Sequence, residues 1–244
     1  MPNGAEQNGS DDSSTTAPPV AATPGSLTTI STGVNEKRQA MLDLIAKWMP
    51  TSLNNPMVPT GETQDLLAMS GWTKKKGQES KQVSDDNRKN GTRTPVATSC
   101  GDVLATMLRL WKSEFIGAFM IRDVDSRNRK PGARERGYYV DVEEMMKAKA
   151  IKSPKRGDII VLRNGVGKGS AGSVGHVGIL IEGSASVWRT ADGGGGQLPD
   201  QTASVTDRKV KLSPEGIPIL ISPTDGREKQ LDGWVDLDQL PRQG

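Results

Sequence analysis

The chain of 244 residues carries one cysteine, Cys100, and one histidine, His176. A thiol and an imidazole are the smallest set for cysteine-based nucleophilic catalysis, because the thiolate attacks and the ring can take its proton. With one residue of each kind, the pairing admits no permutation. Cys100 lies in Thr98-Ser99-Cys100-Gly101-Asp102, just ahead of Val103, Leu104, Met107, Leu108 and Trp111, whose spacing predicts a helix with a single apolar stripe. Ser99 with Asp102 three residues later fits a capping box and places Cys100 in the first turn. There a thiolate feels unpaired N–H groups and the positive end of the helix dipole. The plainer alternative is a small buried cysteine that packs a helix end.

His176 opens the run His176-Val177-Gly178-Ile179-Leu180-Ile181, which reads as a β-strand. Val177, Ile179 and Ile181 share one face. His176 shares the other with Gly178, which leaves room beside the ring for a helix end to approach. A catalytic base also needs an acceptor to orient it, and Asp192 is the candidate. A three-residue hairpin loop, Gly183-Ser184-Ala185, sets Asp192 directly across from His176, whereas a two-residue loop turns it to the opposite face. Thr190, Glu182 and Gln197 are the reserves, and a turn-forming role before Gly193 is the alternative for Asp192.

The positioning elements follow the same patterns. Asn35 caps a helix that runs to Met49, with Met41, Leu44, Ile45 and Trp48 on one face and Pro50 as the stop. A short helix is expected around Gln64–Ser70. Residues 73–97, with Lys74-Lys75-Lys76, read as a solvated loop, and the charged stretch 121–137 with Pro131-Gly132 reads as another. Asp141–Ala150 predicts a short helix. Strands are expected at Lys155–Leu162, from His176, at Ser186–Ala191, Arg208–Leu212, Ile217–Ser222 and Gln230–Leu237. Helices first and antiparallel strands after imply an α+β fold. Residues 1–34, rich in Ser, Thr, Gly and Pro, form a disordered tail, and residues 35–244 form one domain.

Composition narrows the function classes. Thirty-two basic against 29 acidic residues leave a net charge of +3, and the basic clusters lack interleaved aromatics, so nucleic acid is not an expected partner. One cysteine excludes an internal disulfide and, with one histidine, argues against a zinc site. No segment resembles a membrane span or a signal peptide. Gly167-Lys168-Gly169-Ser170-Ala171-Gly172 matches G-x-G-x-x-G but leads into a strand, so no helix N-terminus is available for a pyrophosphate. The Gly165–Gly175 stretch is expected instead to form one wall of a cleft.

Thr98-Ser99-Cys100-Gly101-Asp102, Arg156-Gly157-Asp158-Ile159-Ile160, Gly175-His176-Val177-Gly178-Ile179 and Trp188-Arg189-Thr190-Ala191-Asp192-Gly193 occur in the order seen in NlpC-like and CHAP-like papain-fold amidases. The resemblance covers roughly residues 95–195, with Gly233-Trp234-Val235-Asp236 similar to a closing strand. It implies a papain-like core of N-terminal helices packed on an antiparallel sheet, with Cys100, His176 and Asp192 as the catalytic set and no metal or organic cofactor. It implies hydrolysis of amide bonds, most often in peptidoglycan peptides. Two features depart from it. Thr94 stands where papain-type enzymes carry a Gln that stabilises the oxyanion, leaving the second donor unassigned, and Asp192 stands where NlpC-like members commonly have His. The tail and missing signal peptide resemble antibacterial amidase effectors, made in a bacterial cytoplasm, exported by another route and acting in a target cell's periplasm or wall. An immunity protein would then be a partner. The same dyad also suits a cysteine protease, deamidase or acyltransferase acting on a protein, and the non-enzymatic alternative is a binding module on a papain-like scaffold.

Overall fold

The computed structural model describes residues 27, 28, 30, 32–49, 61–92, 98–114, 133–164, 174–195, 198–223 and 226–243. Expectations for the tail through residue 26, the loop at 121–132, Thr94, Gln197 and the glycine stretch from 165 to 173 lie outside these residues. Four helices come first: α1 (Glu36–Trp48), α2 (Gly61–Met69), α3 (Lys74–Asn90) and α4 (Ser99–Leu110). Then follow β1 (Tyr139–Asp141), α5 (Val142–Lys147), β2 (Ile159–Asn164), β3 (Val174–Gly183), β4 (Val187–Gly195), β5 (Thr202–Leu212), β6 (Pro218–Ile221) and β7 (Glu228–Val235). The fold is α+β, as the sequence predicts. No helix among the described residues is long and apolar enough to cross a membrane.

The sheet beneath the helices is closed on itself. Strands β7, β2, β3, β4, β5 and β6 are hydrogen-bonded in that order, and β6 returns to β7, so six antiparallel strands form a barrel. β1 pairs with the other end of β7, Tyr139–Asp141 against Gly233–Val235. Closure removes the sheet edges that would otherwise present unpaired N–H and C=O groups.

The two-residue period of the strands separates two cores. Ile159, Val161, Val177, Ile179, Ala191 and Val205 face outward onto Met41, Ile45, Leu66, Val103 and Met107 of the helices. Ile160, Leu162, Leu180, Trp188, Leu220, Leu231 and Trp234 fill the barrel. β2 therefore reads Ile-Ile-Val-Leu without polar interruption, because both of its faces are buried. Each such aliphatic side chain contributes roughly 1.5–3 kcal/mol by leaving water.

α1 is docked by one charged side chain. Arg38 is buried, and its Nη1 donates to Asp158 Oδ1 at 2.7 Å and to the Arg156 carbonyl at 2.6 Å. Its Nη2 donates to Asp236 Oδ1 at 2.7 Å, and its Nε donates to Asp238 Oδ1 at 2.9 Å. Asp158 of the Gly157-Asp158 strand entry thus serves helix–barrel docking.

Three expectations need correction. The segment read as a loop from residue 73 holds the 17-residue helix α3, capped by Thr73, whose hydroxyl accepts from the Lys76 N–H at 3.1 Å. Its inward face is small rather than apolar, with Gly77 against the Pro199 backbone and Ser80 buried, so no apolar stripe marks it. Leu27 and Ile30, assigned to the tail, are buried with the barrel cluster, Ile30 beside Gly183 and Trp188. β4 runs past its expected end at Ala191 to Gly195, and β5 begins six residues before Arg208.

Candidate active site

Cys100 lies in the first turn of α4, but the capping box does not form. Thr98 is the N-cap and makes no side-chain cap bond, Ser99 is the first helical residue, and its buried Oγ has no hydrogen-bond partner among the described residues. Asp102 instead accepts from Lys76 Nζ of α3 at 2.6 Å. The cap arrives from the β4–β5 connection, where Gln201 Oε1 accepts the Ser99 N–H at 2.8 Å. A distant side chain therefore supplies the acceptor that local sequence was expected to provide. Gly193 lets this helix end rest directly on β4: a Cβ there would stand 2.7 Å from both the Ser99 carbonyl and Val103 Cγ2. Gly194, at a φ of 80°, lies beside Cys100. A methyl group at that position would sit 3.7 Å from Cys100 Cβ and the Cys100 backbone nitrogen, and 3.8 Å from Gln201 Nε2.

The β3–β4 hairpin follows neither of the two simple loops. The Ser184 N–H bonds to the Val187 carbonyl, closing the turn around Ala185 and Ser186. A hairpin of that register carried straight down would point Asp192 away from His176. The pairing shifts by one residue between Leu180 and Glu182, however, leaving a bulge at Ile181 that restores the face. Below it Leu180 pairs with Thr190 and Ile179 with Ala191, so Asp192 comes to lie opposite Gly178 and diagonal to His176. Gly178 makes this approach possible, since a Cβ there would be 3.1 Å from Asp192 Cβ. The carbonyl of the bulged Ile181 accepts from Arg156 Nε at 2.8 Å.

His176 and Asp192 meet at 3.4 Å between Nε2 and Oδ2, and both are buried. The ring of His176 also acts on the Cys100 thiol and stabilises its thiolate form. The Thr98 hydroxyl lies 3.1 Å from Sγ. Asp192 Oδ2 also accepts from Thr190 Oγ1 at 2.6 Å and from Arg208 Nη2 at 3.0 Å. The same Arg208 nitrogen stands 3.2 Å from His176 Nε2, and Arg208 Nε donates to Thr190 Oγ1 at 3.1 Å.

These contacts set the charge states. Burial pushes the Cys100 thiol up, but the hydrogen bond and charge of His176, then Thr98 and the Val177 N–H, bring it down to about 7. Burial opposes protonation of His176, and Asp192 overrides it so that the ring's affinity for a proton rises, Arg208 acting against that rise. Burial would also raise Asp192, yet Arg208 and His176 hold it well below the usual carboxylate range. A thiolate close to neutral pH, a buried base and an ionised acceptor form a relay able to run nucleophilic acyl chemistry.

Of the reserves, Thr190 supports Asp192 by donating to it, whereas Glu182 is exposed and paired with Arg189. Arg208 and Gln201 are the site residues that sequence patterns did not select. For Arg208 the pattern fails: in Ala203-Ser204-Val205-Thr206-Asp207-Arg208 the apolar–polar alternation breaks at Asp207, so nothing local marks the arginine. Gln201 carried no signal either. No protein-family model, curated protein or solved structure matches the chain.

Proposed function

We propose that the chain is a cysteine hydrolase that cleaves amide bonds in peptidoglycan peptides, built on a papain-like core. The observation that carries this reading is the thiol of Cys100, in the first turn of α4, whose thiolate form is favoured by a buried His176 that is backed by Asp192. The order of a Cys helix, a His strand and an Asp strand supports the NlpC-like and CHAP-like comparison. Barrel closure by itself adds nothing to it.

In the proposed reaction His176 takes the Cys100 proton and Sγ attacks the amide carbonyl, placing an electron pair on the carbonyl oxygen. The donors proposed for that oxygen are the Cys100 N–H and Gln201 Nε2, both of which lie close to Gly194. Collapse breaks the C–N bond, and His176 returns its proton to the departing amine, leaving a thioester. Water, deprotonated by His176, attacks the thioester, and the carboxylic acid leaves as the thiol is restored. Asp192 holds the ring and balances its charge throughout.

Purified protein and its Cys100→Ala variant, each incubated with peptidoglycan sacculi, test the reading. New free amines on stem-peptide fragments, released by the native protein alone, are the expected result. Sacculi left intact by both proteins remove peptidoglycan as the substrate.

A further inference from the structure

Arg208 is buried inside the barrel beside the relay, where a lone guanidinium is costly unless it is fully engaged. Its Nη2 lies 3.0 Å from Asp192 Oδ2 and 3.2 Å from His176 Nε2, while Nε is held by Thr190 Oγ1 at 3.1 Å. We propose that Arg208 is a positioning residue that fixes the Asp192 carboxylate and sets how firmly His176 holds its proton. This rests on the cysteine-hydrolase reading of the same site.

The geometry gives two reasons. Asp192 Oδ1 has no hydrogen-bond partner among the described residues, so the carboxylate is held through Oδ2 alone, by Thr190, Arg208 and His176. Of these only Arg208 carries a permanent charge. The second reason is the shared atom. Nε2 faces an acceptor, Asp192, and a donor, Arg208, so the nitrogen is satisfied whether protonated or bare. With Asp192 alone the imidazolium would be strongly favoured and slow to protonate a leaving amine; the neighbouring guanidinium offsets that preference. Among the described residues the charged or titratable groups acting on His176 are Cys100 from α4, Asp192 from β4 and Arg208 from β5, and Lys229 of β7 donates to the adjacent Gly175 carbonyl at 2.9 Å.

The chain has one histidine and one cysteine, so each group can be titrated by itself. The His176 ring proton, followed by NMR against pH, is compared in the native protein, Arg208→Gln and Arg208→Lys, with Cys100 alkylation measured in parallel. Loss of the guanidinium charge should raise the His176 midpoint by about half a pH unit or more, roughly a threefold gain in proton affinity. Arg208→Lys, which keeps a charge but cannot contact Asp192, Nε2 and Thr190 together, should raise it by less. A folded Arg208→Gln with the native midpoint overturns the proposal. If that variant does not fold, an unchanged midpoint in Arg208→Lys does so. Native Cys100 that titrates like a free thiol, unaffected by His176, overturns the hydrolase reading and this inference together. Native coupling with unmoved Arg208 variants overturns the inference alone.

Discussion

Replacing His176 isolates the coupling between the ring and the thiol. With the Cys100 midpoint at about 7, the thiolate fraction is roughly 9 % at pH 6 and roughly 90 % at pH 8, so alkylation by iodoacetamide should rise about tenfold across that interval. An ordinary thiol with a midpoint near ~8.5 rises about eightyfold over the same range. The ratio is informative because access to a half-buried sulfur and the lower intrinsic nucleophilicity of a low-pKa thiolate both cancel from it. In His176→Ala the influence that pushes the thiol upward, burial, remains, while the largest one pulling it down is gone. The expected rise then approaches the hundredfold limit of a group far below its midpoint. With a single cysteine, whole-protein mass spectrometry reads the rate without peptide mapping. A native protein that rises like an ordinary thiol, or a His176→Ala protein that still rises tenfold, would refute the argument.

Other variants probe the supports. Arg38→Met leaves Asp158 buried without its cation and should cost about 3–5 kcal/mol in urea unfolding, with part recovered by adding Asp158→Asn. Gly194→Ala forces a side chain onto a φ of 80° and places a methyl group 3.7 Å from the Cys100 backbone nitrogen; it should cost about 1–2 kcal/mol in stability while lowering sacculus hydrolysis about tenfold or more. Gln201→Ala removes the acceptor of the Ser99 N–H and should destabilise by about 1 kcal/mol, measured by thermal melting. Gly193→Ala meets the Ser99 carbonyl and Val103 at 2.7 Å and should cost about 1–3 kcal/mol, because α4 must move off β4.

Periodicity revealed what periodicity controls. Met41 and Ile45 on α1, the Val103–Met107 stripe of α4 and the apolar run of β2 are spaced as burial requires, and those elements form where the spacing places them. α3 escaped because its buried face is made of Gly77 and Ser80, where closeness of backbone does the work of side-chain area. Closure of the barrel depends on β7 pairing back onto β2, two strands far apart in sequence whose contact has no local signature. Within the site, Cys100 and His176 stood out by being unique, and Asp192 was found with its register open. Arg208 looked like any charged strand residue until its strand proved to line the barrel interior. The cap on α4 lay a hundred residues away in Gln201, beyond any local pattern.

The bulge at Ile181 ties two seemingly separate traits of the β3–β4 hairpin to each other. Turn length and bulge count together decide whether an odd or an even number of steps separates His176 from Asp192 across the ladder. A lone one-residue insertion or deletion in Ser184–Ser186 that re-registers β4 would bring Ala191 inward and swing the carboxylate toward the helices, with no residue of the relay altered. Relatives of this chain can therefore vary the hairpin tip freely in sequence, but in length only by twos, or by one together with loss of the kink that Arg156 holds at Ile181.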